Sequence, residues 1–341
     1  MNRNRPVYFL VFGLVLMLFF FLINISLGSV SISISEIITG LLFSEWSRSS
    51  YEQIILTYRF PKAIVAILAG MGLSLSGVQM QTFFKNPLAG PYVLGISSGA
   101  GFGVAVLILA GSIFGYAVGS IHPWTISLAG TLGAGLVLSL VSLVAWRVKD
   151  SMTLLIVGIM FGAAVSAVIS VLSYFSGAEA LKLFTVWSMG SLGSLAWNQV
   201  AVLSVTVLAG MLPLLFSIRS YNALLLGEPY AKSMGISTFG LRWWMIGSTG
   251  LMAGAITAFC GPIAFVGIAV PHLARIIFKT ADHRILFPAS GILGAILLLI
   301  CDSIGQLPGM AESLPINAVT SLIGAPVVIV LVLRRNFSKE F

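Results

Sequence analysis

The sequence predicts an all-α, polytopic membrane protein of about ten transmembrane helices, and three observations predict it. Charged residues make up only 8% of 341, too few to cover a globule of this size with polar surface. The mean hydropathy is +1.06. Apolar runs long enough to cross a bilayer follow one another along the chain, broken by proline, glycine or charge. A net charge of +8 would point a soluble chain towards nucleic acid. In a chain this apolar the division of charge between loops matters more, and no nucleic-acid partner is expected. Cys260 and Cys301 lie at or within apolar runs with no third ligand at metal-binding spacing. Both read as small buried hydrophobes, and no metal site is expected.

The first apolar run, 7–27, follows Arg3 and Arg5 and lacks a small-residue cleavage site, so it reads as a retained first helix. Further spans are expected near 61–84, 91–111, 124–146, 153–175, 196–216, 239–259, 262–278, 286–304 and 316–333. An even number of spans puts both termini on one face. Alternation then assigns fourteen of the 18 basic residues to that face and leaves Arg48, Arg59, Lys62 and Lys182 on the other. That bias makes the terminal face cytoplasmic, with 1–341 forming a single transmembrane domain.

Several glycines recur at four-residue spacing, Gly99 with Gly103, Gly158 with Gly162 and Gly250 with Gly254, which lets helix backbones approach closely. A stripe of Gly162, Ser166, Ser170 and Ser173 runs down one face of the fifth span. Such a stripe either packs a neighbouring helix or lines an aqueous path.

On the outer face, residues 28–58 form the longest non-spanning segment. After it, Arg59 and Lys62 flank Pro61 against the orientation rule, which points either to an acidic docking partner or to anchoring at the membrane interface. A second outer segment, 177–197, reads as a short helix lying on the surface, with Trp187 and Trp197 at interfacial depth. On the inner face, Pro87 and Pro91 stop one span and restart the next within a few residues, leaving Asn86 and Leu88 on a constrained turn. The turn from Arg147 to Thr153, which holds Ser151 and Met152, is equally tight. Turns of this kind serve either as gate elements or as plain connectors.

The longest inner connection holds a short amphipathic helix between two apolar runs. Glu228 is expected to cap it, Pro229 suits its first position and Gly235 suits the residue after its end. Tyr230, Ala231 and Met234 fall on one side, and Lys232 with Ser233 on another. About two turns cannot stand alone in water, so the protein's own helix ends or a soluble partner must hold them.

The chain has no phosphate-binding loop, no His-Glu-x-x-His and no nucleophile–base set at usable spacing, so it is not expected to be an enzyme. Asp302 is the one carboxylate inside an expected span, which leaves little to carry a driving ion. The absence of an internal energy input points to an ATPase bound from the cytoplasm, with an ion-coupled secondary transporter as the alternative.

Eight runs then carry a resemblance: Arg59 to Lys62, Gly77 to Met80 leading to Asn86–Ala89, Leu94 to Ala100, Leu226 to Glu228 with Ala231 and Gly235, Gly261 to Gly267, Val270 to Arg275, Leu314 to Ile316, and Leu322 to Pro326. In this order, over nearly the whole chain, they resemble the FecCD-type permeases, membrane subunits of ABC importers for iron-siderophores, haem and cobalamin. The resemblance implies a type II ABC importer permease fold in a bacterial or archaeal cytoplasmic membrane, paired with a second permease copy or a related permease. It implies two ABC ATPase subunits that use ATP and Mg, so that this chain binds no cofactor, and an extracytoplasmic substrate-binding protein. Residue by residue, it makes Gly227, Glu228, Pro229, Tyr230, Ala231, Lys232, Met234 and Gly235 a coupling helix. Asn86, Leu88, Ser151 and Met152 become a cytoplasmic gate, and Arg59 with Lys62 an outer docking pair. A third basic docking residue expected after Asp302 is Gln306 here.

Overall fold

Each of the ten apolar runs contains a helix in the computed structural model, which describes residues 5–116, 121–148, 150–193, 195–306 and 313–333. Arg3, Lys149, Arg334, Arg335 and Lys339, used above to assign faces, lie outside the described residues. The helices are α1 Arg5–Ser26, α2 Ile34–Phe43, α3 Ser49–Phe84, α4 Ile96–Ile113, α5 Pro123–Arg147, α6 Ser151–Phe175 and α7 Ala178–Ser188. They continue as α8 Trp197–Leu225, α9 Glu228–Ser233, α10 Thr238–Cys260, α11 Val266–Phe278, α12 His283–Gly305 and α13 Ile316–Leu333. Eight of them, α1, α3 to α6, α8, α10 and α12, are long and apolar enough to cross a membrane.

Of the boundaries that differ from expectation, two have identifiable reasons. The second span does not begin at Pro61: α3 extends outward to Ser49 through a π-helical stretch over Ile54–Arg59. A proline ring clashes with the carbonyl four residues back in an α-helix, and the wider π turn ahead of Pro61 relieves that conflict. The eighth span, expected over 262–278, is only the 13-residue α11. Gly261 and Phe265 both have positive φ, 73° and 67°, so the backbone from 261 to 265 turns instead of coiling. At 1.5 Å per residue α11 covers roughly 20 Å, short of the ~30 Å hydrocarbon core.

The outer segment that reads as non-spanning contains its own helix, α2. Ser33 caps it by accepting from the Glu36 amide, and Glu36 in turn accepts from the Ser47 amide and hydroxyl at 2.6 and 2.7 Å. Those two bonds hold the Glu36 carboxylate below its usual range.

α3 runs through the middle of the bundle, buried almost without a break from Ala63 to Phe84. It lies along α12 so closely that a Cβ on Gly70 would overlap the Gly294 carbonyl. The close approach foreseen at Gly99 and Gly103 is between α4 and α5, where added Cβ atoms would meet the Gly133 and Ala129 carbonyls. By contrast Gly254 leaves ordinary room, 3.6 Å to Ile96. Most of the core forms two clusters along α3, with a third, smaller one of Val104, Ala105, Ile108, Leu109 and Ala180 between α4 and α7. One of the two packs Ile55, Leu73, Leu203, Ile256 and Leu298, the other Val78, Leu94, Val141, Tyr221 and Leu286. α1 and α6 stand largely outside both, with apolar side chains such as Phe12, Leu18, Ile156 and Met160 exposed. Faces of that composition need lipid or another protein to cover them.

Candidate functional site

α9 lies at the end of the bundle that the charge bias leads one to expect on the cytoplasmic side, the inner end. Its start is set by Gly227, whose φ of 108° and ψ of 154° no L side chain adopts readily. Glu228 is therefore not the cap that its position suggests. It is the first helical residue, and its carboxylate lies 3.9 Å from the Arg242 guanidinium on α10. The end of α9 matches expectation: Gly235 at φ +78° donates to the Lys232 carbonyl at 3.0 Å, and Ile236 donates to the Ala231 carbonyl at 3.1 Å. Those two bonds form a Schellman motif, which seals a helix too short to hold itself. Of the apolar side chains only Ala231 is buried. Tyr230 and Met234 stand 49% and 58% exposed, so the face that reads as a packing face is turned outward.

Both tight inner turns precede this helix in the chain. In the first, Lys85 ends α3 in the left-handed region at φ 48°, and the Asn86 carboxamide oxygen accepts from the Leu88 amide at 2.9 Å. That side-chain turn holds Leu88 out, 39% exposed. In the second, Asp150 caps α6 by accepting from the Thr153 amide and hydroxyl, each at 2.8 Å. Those bonds keep the Asp150 carboxylate below its usual range, with a smaller contribution from Arg242. Ser151 and Met152 are consequently the first two residues of a capped helix, with Met152 51% exposed.

Behind the turns lies a buried polar network that hydropathy does not reveal. The Tyr221 hydroxyl of α8 donates to Gln79 of α3 at 2.7 Å, Gln79 donates to Ser248 of α10 at 3.0 Å, and Ser248 donates back to the Gly210 carbonyl of α8 at 2.6 Å. Next to Tyr221, the Asn222 amide nitrogen donates to Asp282 at 2.6 Å, which fixes the orientation of its carboxamide. Its oxygen then receives the His283 backbone N–H at 2.9 Å and faces ring Nδ1 at 2.7 Å. Nδ1 must donate, and on its other side Nε2 lies 3.0 Å from the Thr82 hydroxyl, whose single proton is shared between that nitrogen and the Val78 carbonyl at 2.8 Å. Arg275 of α11 donates to Gln81. The last turn of α8, immediately before α9, is thereby tied to α3, α10 and α12.

At the outer mouth both residues of the expected docking pair have partners within the chain. Arg59 is only 7% exposed, and its guanidinium donates to the carbonyls of Ile25 at 2.9 Å, Ser26 at 3.0 Å and Val30. It satisfies the carbonyls that the end of α1 leaves open, so its position follows from a helix terminus and offers little charge to a partner. Lys62 pairs with Asp302 at 2.9 Å; Asp302 also accepts from Asn24 at 2.8 Å and from Gln306. Where a third cation was expected, Gln306 neutralises nothing and instead supports the carboxylate. Arg59, Lys62, Asp302 and Gln306, with exposed Lys182, line an outer cavity of about 940 Å³.

The profile of the FecCD transport family matches residues 16–334. The chain belongs to the FecCD transport family. It is 34% identical over 290 residues to the vitamin B12 import system permease protein BtuC of Escherichia coli O17:K52:H18, covering 85% of this chain and 86% of that protein. The BtuC protein of Shigella boydii serotype 18 is 33% identical over 320 residues, covering 94% and 93%. A metal-chelate type ABC transporter solved in an inward-facing conformation superposes with a TM-score of 0.82 at 30% identity, covering 95% of this chain and 98% of that one. The PsaBC complex of Streptococcus pneumoniae shares the fold alone, at a TM-score of 0.55 and 15% identity over 87% and 95% of the two chains. The protein is an ABC importer permease of the FecCD type.

In this FecCD permease the stripe on α6 is polar only in part. Ser166 and Ser170 are exposed, but each hydroxyl donates to the carbonyl four residues back, Gly162 and Ser166, at 2.9 Å. Gly162 lies against Ser98 of α4, 3.2 Å from where a Cβ would stand. The residues that sequence reading missed are Gln79, Tyr221, Asn222, His283 and Arg242. The only local signal for them is polarity inside otherwise apolar runs.

Proposed function

We propose that this permease is the membrane-spanning subunit of an ATP-driven importer of a metal chelate, working from the cytoplasmic membrane with both termini inside. Two copies, or this chain and a related permease, enclose the path at their common axis. The α6 stripe of Gly162, Ser166, Ser170 and Ser173 faces that axis. Separate ABC ATPase subunits, which hold the ATP and Mg, grip residues Gly227 to Gly235. Asn86, Leu88, Ser151 and Met152 form the inner gate. The similarity to vitamin B12 import permeases makes cobalamin the first chelate to test, ahead of ferric siderophores and haem. A binding protein delivers the cargo over the outer cavity, where Lys182 takes over the steering charge first expected of Arg59. Against an ion-coupled transporter stands Asp302, already committed to Lys62, Asn24 and Gln306.

The observation that carries this reading is α9 itself: sealed at its end, docked through Ala231, yet presenting Tyr230 and Met234 to the exterior in a chain without a nucleotide site. Glu228→Arg or Gly235→Val should abolish co-purification of the cognate ATPase while the permease still inserts. Gly235→Val acts by forcing a β-branched residue to φ +78°. Unchanged recovery of the ATPase with both variants overturns the assignment of α9.

A further inference from the structure

Arg242 lies one turn into α10, just beyond the end of α9, and among its contacts with the described residues are three different elements. Nη2 is 3.9 Å from the Glu228 carboxylate at the start of α9. Nη1 donates to the Val148 carbonyl at 3.0 Å, in the turn that leads to Asp150, Ser151 and Met152. Its Cζ stands 5.6 Å from the centroid of the Phe83 ring, near the end of α3 and three residues before Asn86. The planar fork of arginine allows this: one edge serves a carboxylate, another a carbonyl, and the face lies on a ring. We propose that Arg242 is the positioning residue that carries a displacement of α9 to both inner turns.

Unequal contacts give the arrangement a direction. The carbonyl bond is short and lies where the Arg242 side chain is only 12% exposed, whereas the Glu228 side chain is 47% exposed and its contact is long. A partner that draws α9 towards or away from α10 acts first on the loosest of the three links. The guanidinium then shifts against Val148 and Phe83 together, so the turns holding Leu88 and Met152 move as a pair. Asp150 adds a second connection, because Arg242 contributes to holding its carboxylate ionised at the start of α6. A staple that merely stabilised the bundle would not need its weakest contact on the one element exposed to a partner.

The inference rests on the coupling and gating roles proposed above, and its test separates the two. Leu88→Cys and Met152→Cys permeases, each with its cognate ATPase in nanodiscs, are labelled with a water-soluble maleimide with and without a non-hydrolysable ATP analogue. The native Cys260 and Cys301 are 2% and 0% exposed and give little background. The unaltered Arg242 background should show a nucleotide-dependent rate change at both positions. Arg242→Met should still recover the ATPase but shrink that change at both positions on the order of fivefold or more, the range of ordinary allosteric coupling. Arg242→Lys, which keeps the charge without the fork, should restore part of it, and Glu228→Gln added to Arg242→Met should cost nothing further. A response that survives Arg242→Met at either position overturns the inference and leaves the gate intact. Loss of ATPase recovery in Arg242→Met makes Arg242 a docking residue and also overturns it. If Arg242→Met fails to insert, Glu228→Gln alone must reduce the response at both positions, and an unreduced response refutes the link. No nucleotide response with Arg242 present removes the gate reading and this inference together.

Discussion

The outer mouth and the inner end of this permease both bury charge at the ends of helices, and they use it in opposite ways. Outside, Asp302 is matched at short range by Lys62 at 2.9 Å and Asn24 at 2.8 Å, with Gln306 beside them, while Arg59 is spent on three backbone carbonyls. Inside, Arg242 is divided among a carboxylate at 3.9 Å, a carbonyl and an aromatic face. A charge with short, redundant partners fixes geometry. One held partly by a long contact on an exposed helix leaves room for geometry to change. The same kind of residue, an arginine near a helix end, is a rivet at one end and a joint at the other.

That contrast is easiest to break at the rivet. Removing one member of a buried ion pair leaves the other uncompensated, so Asp302→Ala should destabilise the detergent-solubilised permease by about 3–5 kcal/mol, read as a lowered Tm. Replacing the pair together, Lys62→Met with Asp302→Leu, should recover most of the loss, because both charges then avoid desolvation. If the double variant instead melts normally but no longer associates with the cognate binding protein, Lys62 is a docking charge and the outer mouth is not a closed structural unit. A smaller effect is expected in the polar network between the two ends. Tyr221→Phe strands the Gln79 carboxamide oxygen in a fully buried position, at a cost of about 1–3 kcal/mol. An unchanged Tm would mean that Gln79 re-pairs, and that α8 is not anchored there.

The sequence reading succeeds and fails along a physical line. Runs of apolar residues must become helices in a bilayer, because no other open structure satisfies the backbone there, and each of the ten runs contains a helix. The end of α9 was legible because Gly235 has one main use at a helix terminus. The outward extension of α3 was hidden because Ser49, Glu52 and Gln53 break the hydropathy of a helix that the backbone nevertheless continues. The late start of α11 was hidden because the turn depends on Phe265 at φ +67°, a conformation its residue type does not announce. Arg59 was misread because the orientation rule concerns which face a charge occupies and is silent about which carbonyls it caps. Arg242 was invisible for a different reason: its Val148 partner lies 94 residues away, and no local pattern encodes such a contact.

The last prediction concerns the weakest anchor at the inner end, Asp150, and asks how firmly the joint is held on its far side. Its folded-state pKa is depressed, chiefly by the Thr153 amide and hydroxyl. Stability from a depressed carboxylate is fully present above the unfolded value and is lost only as pH falls through the folded one. The contribution of the cap should therefore be constant from neutral pH down towards the ordinary aspartate value of 3.8 and be lost progressively as pH falls below it. Hydrogen exchange of the Thr153 and Leu154 amides, corrected for intrinsic rates, should show unchanged protection between about pH 7 and 5. Asp150→Ala should lose that protection at every pH, while Asp150→Ser, which keeps an acceptor at the cap, should retain most of it. Because the carboxylate is exposed, the global Tm should barely move in either variant, unlike Asp302→Ala at the outer mouth. Protection that survives Asp150→Ala would show that the start of α6 is held by Arg242 and Val148 alone, and the joint would then be a single point rather than two.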